Sequence, residues 1–311
     1  MLTTVMTVAD LPRDIHDNIA AFLPNKDLIQ FVCASRQIVV SPYLLRQRQR
    51  AFWTKCGVVR LARKGDLAGL QYLHGLGFKM TEEEYEDEDE EMVNIYAMNE
   101  AAHNGHLAVV EFLHSIDAPY TTEAMDYAAI NGDLAMVQYL HSIGAPHTTE
   151  AMDNASRNGD LDVVEFLHSI GGTCTNEAMD TAAMEGHMDV VQYLHSIGAT
   201  CTWSAMNMAA ARGDLAMVQY LHSIGAPFTG IFTGQAMNWA SSNGHLAVVQ
   251  FLHSIGAPLT EYAMTHAAEH GHLAVVQFLH SISAPYNFLA VKYAAKNGHS
   301  AVVEFFAKHS N

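Results

Sequence analysis

A glycine recurs through the C-terminal two-thirds of this chain at a nearly constant interval. Gly105, Gly132, Gly159, Gly186, Gly213, Gly244, Gly271 and Gly298 are spaced by 27, 27, 27, 27, 31, 27 and 27 residues. The histidine of a recurring Leu-His-Ser tripeptide keeps the same step at His114, His141, His168, His195, His222, His253 and His280. A period of this length marks a chain built by stacking one small unit rather than by enlarging a single core. The usual conversion of 311 residues into a domain count therefore does not apply.

One unit, residues 120–146, reads YTTEAMDYAAINGDLAMVQYLHSIGAP. Thr121 or Thr122 can cap the start of a helix, and Glu123 places a negative charge in its first turn, where the helix dipole favours one. Ala124, Met125, Ala128 and Ala129 form a stripe of mostly small apolar residues at helical spacing. Gly132 ends the helix because it takes the left-handed conformation without steric cost. Asp133 starts a second helix, whose apolar face is expected from Leu134, Val137, Tyr139 and Leu140. Gly144 and Pro146 stop it. Each unit is thus two short antiparallel helices, and neither could bury its stripe alone. Alanine on the first helix permits close approach, and the second supplies bulk. Burying each Leu or Val should stabilise by about 1.5–3 kcal/mol.

Eight units follow: 92–119, 120–146, 147–173, 174–200, 201–227, 228–258, 259–285 and 286–311. A degenerate one, RLARKGDLAGLQYLHGLG, precedes them at 60–77. The sixth holds four extra residues, and the last replaces LHSIGAP by Phe306, Ala307, Lys308 and His309, which suits a C-terminal cap.

These units resemble ankyrin repeats. The family's TPLHxAAxxGHxxVVxxLLxxGA pattern aligns with EAMDYAAINGDLAMVQYLHSIGA, Ala124 standing for its Pro, Met125 for its Leu and Asp126 for its His. The departure is length, since ankyrin units run to 33 residues and spend the difference on a projecting β-turn finger. The resemblance implies a protein-binding stack without the usual fingertip contacts. Residues 10–50, DLPRDIHDNIAAFLPNKDLIQFVCASRQIVVSPYLLRQRQR, have helical periodicity with Ile15, Ile19, Phe22 and Leu23 on one face. They resemble an F-box at Leu11, Pro12, Ile15, Ile19, Leu23, Asp27, Leu28, Phe31, Cys33, Arg36, Pro42 and Leu44. That resemblance implies docking of Leu11, Pro12, Ile15, Ile19 and Leu23 on a Skp-type adaptor of a cullin ubiquitin ligase. The alternative is a helical cap shielding the first repeat. The combination resembles the F-box-plus-ankyrin proteins of giant viruses of amoebae and some protists.

The expected fold is therefore all-α: a solenoid of 27-residue ankyrin-like helix–turn–helix repeats with a small N-terminal helical F-box-like domain. The expected organisation is a tail at 1–9, the F-box-like domain at 10–50, a degenerate repeat or linker at 51–80, an acidic insert at 81–91 and the repeats at 92–311.

Charge narrows the partners. The net charge is −17, divided as +6 over residues 1–80, −9 over 81–91 and −14 over 92–311. Such an acidic body repels phosphate backbones, so nucleic acid is a poor partner. The acidic run EEEYEDEDEE reads as a solvated loop, or as a contact for a basic surface or a screen against nucleic acid. The start MLTTVMTVADLP lacks the basic and apolar regions of a secretory signal, and no stretch approaches 18 uninterrupted apolar residues. Cys174 and Cys201 occupy the same phase of neighbouring repeats. Stacked helix pairs lie roughly 10 Å apart and a disulfide needs Cα atoms within about 7 Å, so both are expected reduced, in a cytoplasmic chain (host cytoplasm or nucleus if viral).

Nineteen histidines invite a metal hypothesis. The Leu-His-Ser histidines, however, sit a repeat apart and cannot converge on one ion. Neither His103 with His106 nor His270 with His272 has the Cys or carboxylate company of a metal site. The methionines of the Ala-Met pairs read as core. Phosphate loops, nucleophile elbows and HExxH motifs are absent from the sequence, so no catalytic residue and no cofactor is expected.

Specificity in a fixed framework is carried by the positions that vary. The position after AMD runs Tyr127, Asn154, Thr181, Met208, Trp239, His266, Tyr293. The position before EAM runs Thr122, Thr149, Asn176, Trp203, Gly234, Glu261, Phe288. Aromatics dominate binding hot spots, so Trp203, Trp239, His266, Phe288 and Tyr293 are the candidate target-binding residues; the alternatives are neutral drift or packing between repeats. The function expected is a monomeric substrate receptor linking a target protein to a cullin-type ligase, or a scaffold that binds a protein with no ubiquitin link.

Overall fold

The computed structural model describes residues 57–75, 77, 83–86, 92–227 and 234–309. The chain forms two compact units, 1–119 and 120–311. The F-box-like segment and its candidate residues Leu11, Pro12, Ile15, Ile19 and Leu23 lie outside the described residues.

The first unit contains helices α1 (Val58–Arg63), α2 (Leu67–Gly75), α3 (Ala97–His103) and α4 (Leu107–Ser115). The segment read as a degenerate repeat therefore carries a helix pair of its own. α1 packs on α3 and α2 on α4, burying Ala62, Leu70, Leu73, Met98, Val110 and Leu113. The acidic insert departs from the expected all-helical reading. Strand β1 (Glu83–Glu86) pairs antiparallel with β2 (Met92–Ile95), Glu83 opposite Ile95 and Glu86 opposite Met92. Extra residues between two helix pairs must leave and return to the same place, and an antiparallel hairpin does this while satisfying its own backbone groups.

The second unit holds seven helix pairs. Its first helices are α5 (Glu123–Ile130), α7 (Thr149–Asn158), α9 (Asn176–Glu185), α11 (Trp203–Arg212), α13 (Gln235–Ser242), α15 (Glu261–Glu269) and α17 (Phe288–Lys296). Its second helices are α6 (Leu134–Ser142), α8 (Leu161–Ser169), α10 (Met188–Ser196), α12 (Leu215–Ser223), α14 (Leu246–Ser254), α16 (Leu273–Ser281) and α18 (Ser300–His309). Each first helix packs on the next first helix, and second helix meets second helix in the same order, α10 and α12 through the rings of His195 and Tyr220. This solenoid is entirely helical over its described residues.

The core follows the expected stripe with one change. Ala124, Met125, Ala128 and Ala129 of α5 are fully buried, as are their counterparts Ala178, Met179, Ala182 and Ala183 of α9. On α6 the buried residues are Met136, Val137 and Leu140, while Leu134 and Tyr139 are only half-buried. Tyr139 and its counterparts have another task. The ring of His141 meets Phe166 of the next repeat edge to face at 5.8 Å, His168 meets Tyr193 at 6.1 Å, His195 meets Tyr220 at 6.3 Å, and His222, His253 and His280 continue the ladder to Phe251, Phe278 and Phe305. The Leu-His-Ser histidines thus strap second helices together.

Candidate protein-binding surface

The aspartate of AMD holds neighbouring repeats in register. The Thr148 backbone N–H donates to Asp126 Oδ1 at 3.0 Å and its hydroxyl donates to Oδ2 at 3.0 Å. Thr175 grips Asp153 in the same way, with both bonds at 2.8 Å, and Thr202 grips Asp180. Each of these threonines also caps its own helix, accepting the N–H of Glu150, Glu177 or Ser204 at 3.1 Å. One hydroxyl therefore joins a helix start to the preceding repeat. Burial raises the Asp126 carboxyl above its ordinary value, against the opposing pull of the two Thr148 bonds. The clasp weakens toward the C-terminus. Asn207 bonds Gln235 instead, leaving its buried Oδ1 without a partner among the described residues. Asn238 keeps one bond, accepting from the Thr260 hydroxyl at 2.9 Å.

A second set of side chains closes the far ends of the first helices. Asn243 Nδ2 donates to the Ala211 carbonyl at 2.7 Å, and His245 Nε2 lies 3.0 Å from the same oxygen. His272 Nε2 lies 2.9 Å from the Ser242 carbonyl. A carbonyl only accepts, so each Nε2 carries the proton. These rings lie over the preceding glycines. A Cβ on Gly159, whose φ is +81°, would stand 2.5 Å from His187 Nδ1.

The framework leaves outward the residues that vary. Trp203 is the first residue of α11 and is half-buried; Trp239 and Tyr293 are half-buried within α13 and α17. His266 of α15 stacks on Tyr262 at 6.1 Å with Nδ1 3.4 Å from Glu269 Oε2. Phe288, the first residue of α17, is 72% exposed. The five candidate residues thus fall on four consecutive first helices. Among the described residues no ring contact joins Trp203, Trp239, Phe288 or Tyr293 to one another. Sequence reading missed Tyr262, 56% exposed, and Tyr286, 40% exposed. Their signal was available: Tyr262 stands where other repeats have Glu123, Glu150 and Glu177, and Tyr286 where they have His147, Cys174 and Cys201.

Other chemistry is sparse. Cys174 and Cys201 are free and half-buried, and burial pushes the Cys201 thiol up to about 11, which holds it protonated and unreactive. Cys201 lines an open depression of about 300 Å³ with Met179, His195, Thr200, Ile224 and Pro227. Among the described residues no group of three or more His, Cys, Asp or Glu side chains could hold a metal ion, and no helix is long and apolar enough to cross a membrane.

Comparison with known proteins agrees with this framework. A family profile described as ankyrin repeats (many copies) matches residues 125–168 and 179–222. A second, ankyrin repeats (3 copies), matches residues 237–311, and together they span just over half of the chain. No curated protein matches the sequence. Among solved structures, the crystal structure of the human ASB11 ankyrin repeat domain is similar with a TM-score of 0.52 and 19% identity, covering 65% of this chain and 98% of that one. At that identity the likeness concerns the fold alone. The six residues between Ser142 and Thr149 leave no room for a β-turn finger. The chain belongs to the ankyrin-repeat family, in a short-unit form, and is a protein–protein interaction module.

Proposed function

We propose that the chain is a substrate receptor: its repeats hold a target protein while residues 10–50 dock on a Skp-type adaptor of a cullin ubiquitin ligase. The observation that carries the ligase link is the F-box-like pattern of Leu11, Pro12, Ile15, Ile19 and Leu23 placed ahead of an ankyrin stack. The mechanism is proximity. Holding target and ligase on one chain raises their effective concentration, and no chemistry is asked of this chain. The target is read by Trp203, Trp239, His266, Phe288 and Tyr293, and the chain works in the cytoplasm. A pull-down from a eukaryotic lysate, wild type beside Leu11→Ala/Pro12→Ala, probed for adaptor and cullin, tests the link. Adaptor held by wild type and lost by the variant supports it; adaptor absent from both removes it.

A second reading, a scaffold that occupies its partner without any ubiquitin link, is favoured by the family matches, which fall on the repeats alone. Under that reading residues 10–50 cap the stack, and the double variant lowers stability while leaving target capture intact.

A further inference from the structure

The last repeat differs from those of residues 92–285 in charge and exposure. Residues 286–311 carry Lys292, Lys296 and Lys308 against Glu304 alone, a net +2, whereas residues 92–285 carry net −16. No unit of residues 92–285 has a positive net charge, and of the remaining units only the degenerate one at 60–77 does, with Arg60, Arg63 and Lys64 against Asp66. All three lysines are exposed, and among the described residues none is in an ion pair. The three exposed large apolar side chains of the described structure, Tyr262, Tyr286 and Phe288, lie on this repeat and its neighbour.

Placement ties the two features together. Phe288, Lys292 and Lys296 succeed one another at four-residue spacing along α17, so they share one face of that helix. Lys292 stands at the position where Asp126, Asp153 and Asp180 hold the next repeat's threonine, and so reverses the charge of the clasp. Ala295 and Val303 are exposed and half-buried, although their counterparts Ala129 and Val137 are fully buried. The face is therefore an aromatic and aliphatic surface edged by free cations. Its complement is a segment that is strongly acidic and carries an aromatic ring.

One such segment is in this chain. Residues 82–91 hold nine acids and Tyr85, and Glu83–Glu86 of that run form strand β1, paired with β2. We infer that the acidic segment 82–91 of one copy docks on the Phe288–Lys292–Lys296 face of a second copy, giving a heterologous, head-to-tail association that goes beyond the functional reading above. Such a contact does not close on itself as a two-fold dimer does, so copies add in series. The overall negative charge of each copy opposes association at long range. At physiological ionic strength the screening length of about 8 Å removes most of that repulsion and leaves close pairs in part intact.

The test is the mass of the full chain by sedimentation velocity across a concentration series at about 0.15 M and about 1 M salt, with circular dichroism to verify each variant's fold. Mass that rises with concentration at 0.15 M, weakens about tenfold or more at 1 M, and weakens likewise in Lys292→Glu/Lys296→Glu and in Phe288→Ala supports the docking. A charge-swapped mixture gives the second arm. The Lys292→Glu/Lys296→Glu chain should pair with a chain whose residues Glu88, Glu90 and Glu91 are changed to Lys, although neither associates alone. A chain that stays monomeric over the whole series overturns the inference, whether or not a free peptide of residues 81–91 binds it. So does association that survives both the lysine reversal and Phe288→Ala.

Discussion

At the scale of single residues, the threonine hydroxyls carry more than their count suggests. Thr175 caps α9 and grips Asp153, so Thr175→Val removes a helix cap and leaves the Asp153 carboxylate short of a donor. The expected cost is about 2 kcal/mol, read as a lower denaturation midpoint, against well under 1 kcal/mol for Ser223→Ala at the exposed end of α12. Asp126 adds a pH signature. Burial raises its carboxyl, so the folded chain holds this proton more tightly than the unfolded chain. That stabilisation is complete below the unfolded-chain value and drains away as pH rises through the raised one. Wild type should therefore gain on Asp126→Asn as pH is lowered, a trend that stability measured along an acid series would show or refute. His272 behaves in the opposite sense. Burial first, then the neighbouring His270, His245 and His299, lowers its ordinary value, while its bond to the Ser242 carbonyl opposes them. Its contribution is present above the unfolded-chain value and lost as pH falls through the lowered one, so His272→Gln should flatten the stability profile on the acid side of neutrality.

At the scale of helices, the glycine that ends a first helix is confined twice over in the inner repeats from Gly132 to Gly271, whereas Gly298 of the last repeat has open space around it. Gly159 has φ +81°, and the ring of His187 fills the space where a side chain would begin. Gly159→Ala should cost more than the roughly 1–2 kcal/mol of left-handed strain alone, and a denaturant titration beside Gly144→Ala, whose φ is +77° with open space around it, separates strain from contact. Most of this level was legible in the sequence, because period, cap residues and glycine positions are local properties. Helix pairs, the alanine–methionine stripe and Asp133 as a helix start, accepting from the Met136 N–H at 3.0 Å, all follow from residues within one unit. What was not legible is what joins units. That Asp126 meets Thr148, and that Tyr139's column receives histidines, depends on the rotation between neighbours, which no single unit encodes. The same limit applies to the candidate surface. Variation singled out Trp203, Trp239, His266, Phe288 and Tyr293, but variation does not report exposure, so half-buried Trp239 was ranked beside Phe288 while Tyr262 and Tyr286 were passed over. The strand at 83–86 was hidden by a run of like charges that favours a solvated loop on composition alone.

At the scale of the whole molecule, stability is a sum over units and the seams between them. Removing residues 174–200 would bring Thr202 to the place of Thr175 opposite Asp153, so the seam should close again. The shortened chain should fold with a lower thermal midpoint, whereas removal of only 174–187 sets a first helix against a second and should abolish cooperative unfolding. Calorimetry of the two deletions decides this. The clasp also bears on how such a chain changes over generations. Because Asp126, Asp153 and Asp180 each offer the same two acceptors, and Thr148, Thr175 and Thr202 each fill them alike, any of these units can follow any other. Slipped recombination between such similar stretches of coding sequence would insert or delete a whole unit in frame with its seam already matched. The reach of the stack can then lengthen or shorten in one genetic step, without the slow accumulation of compensating substitutions that a single-core protein would require.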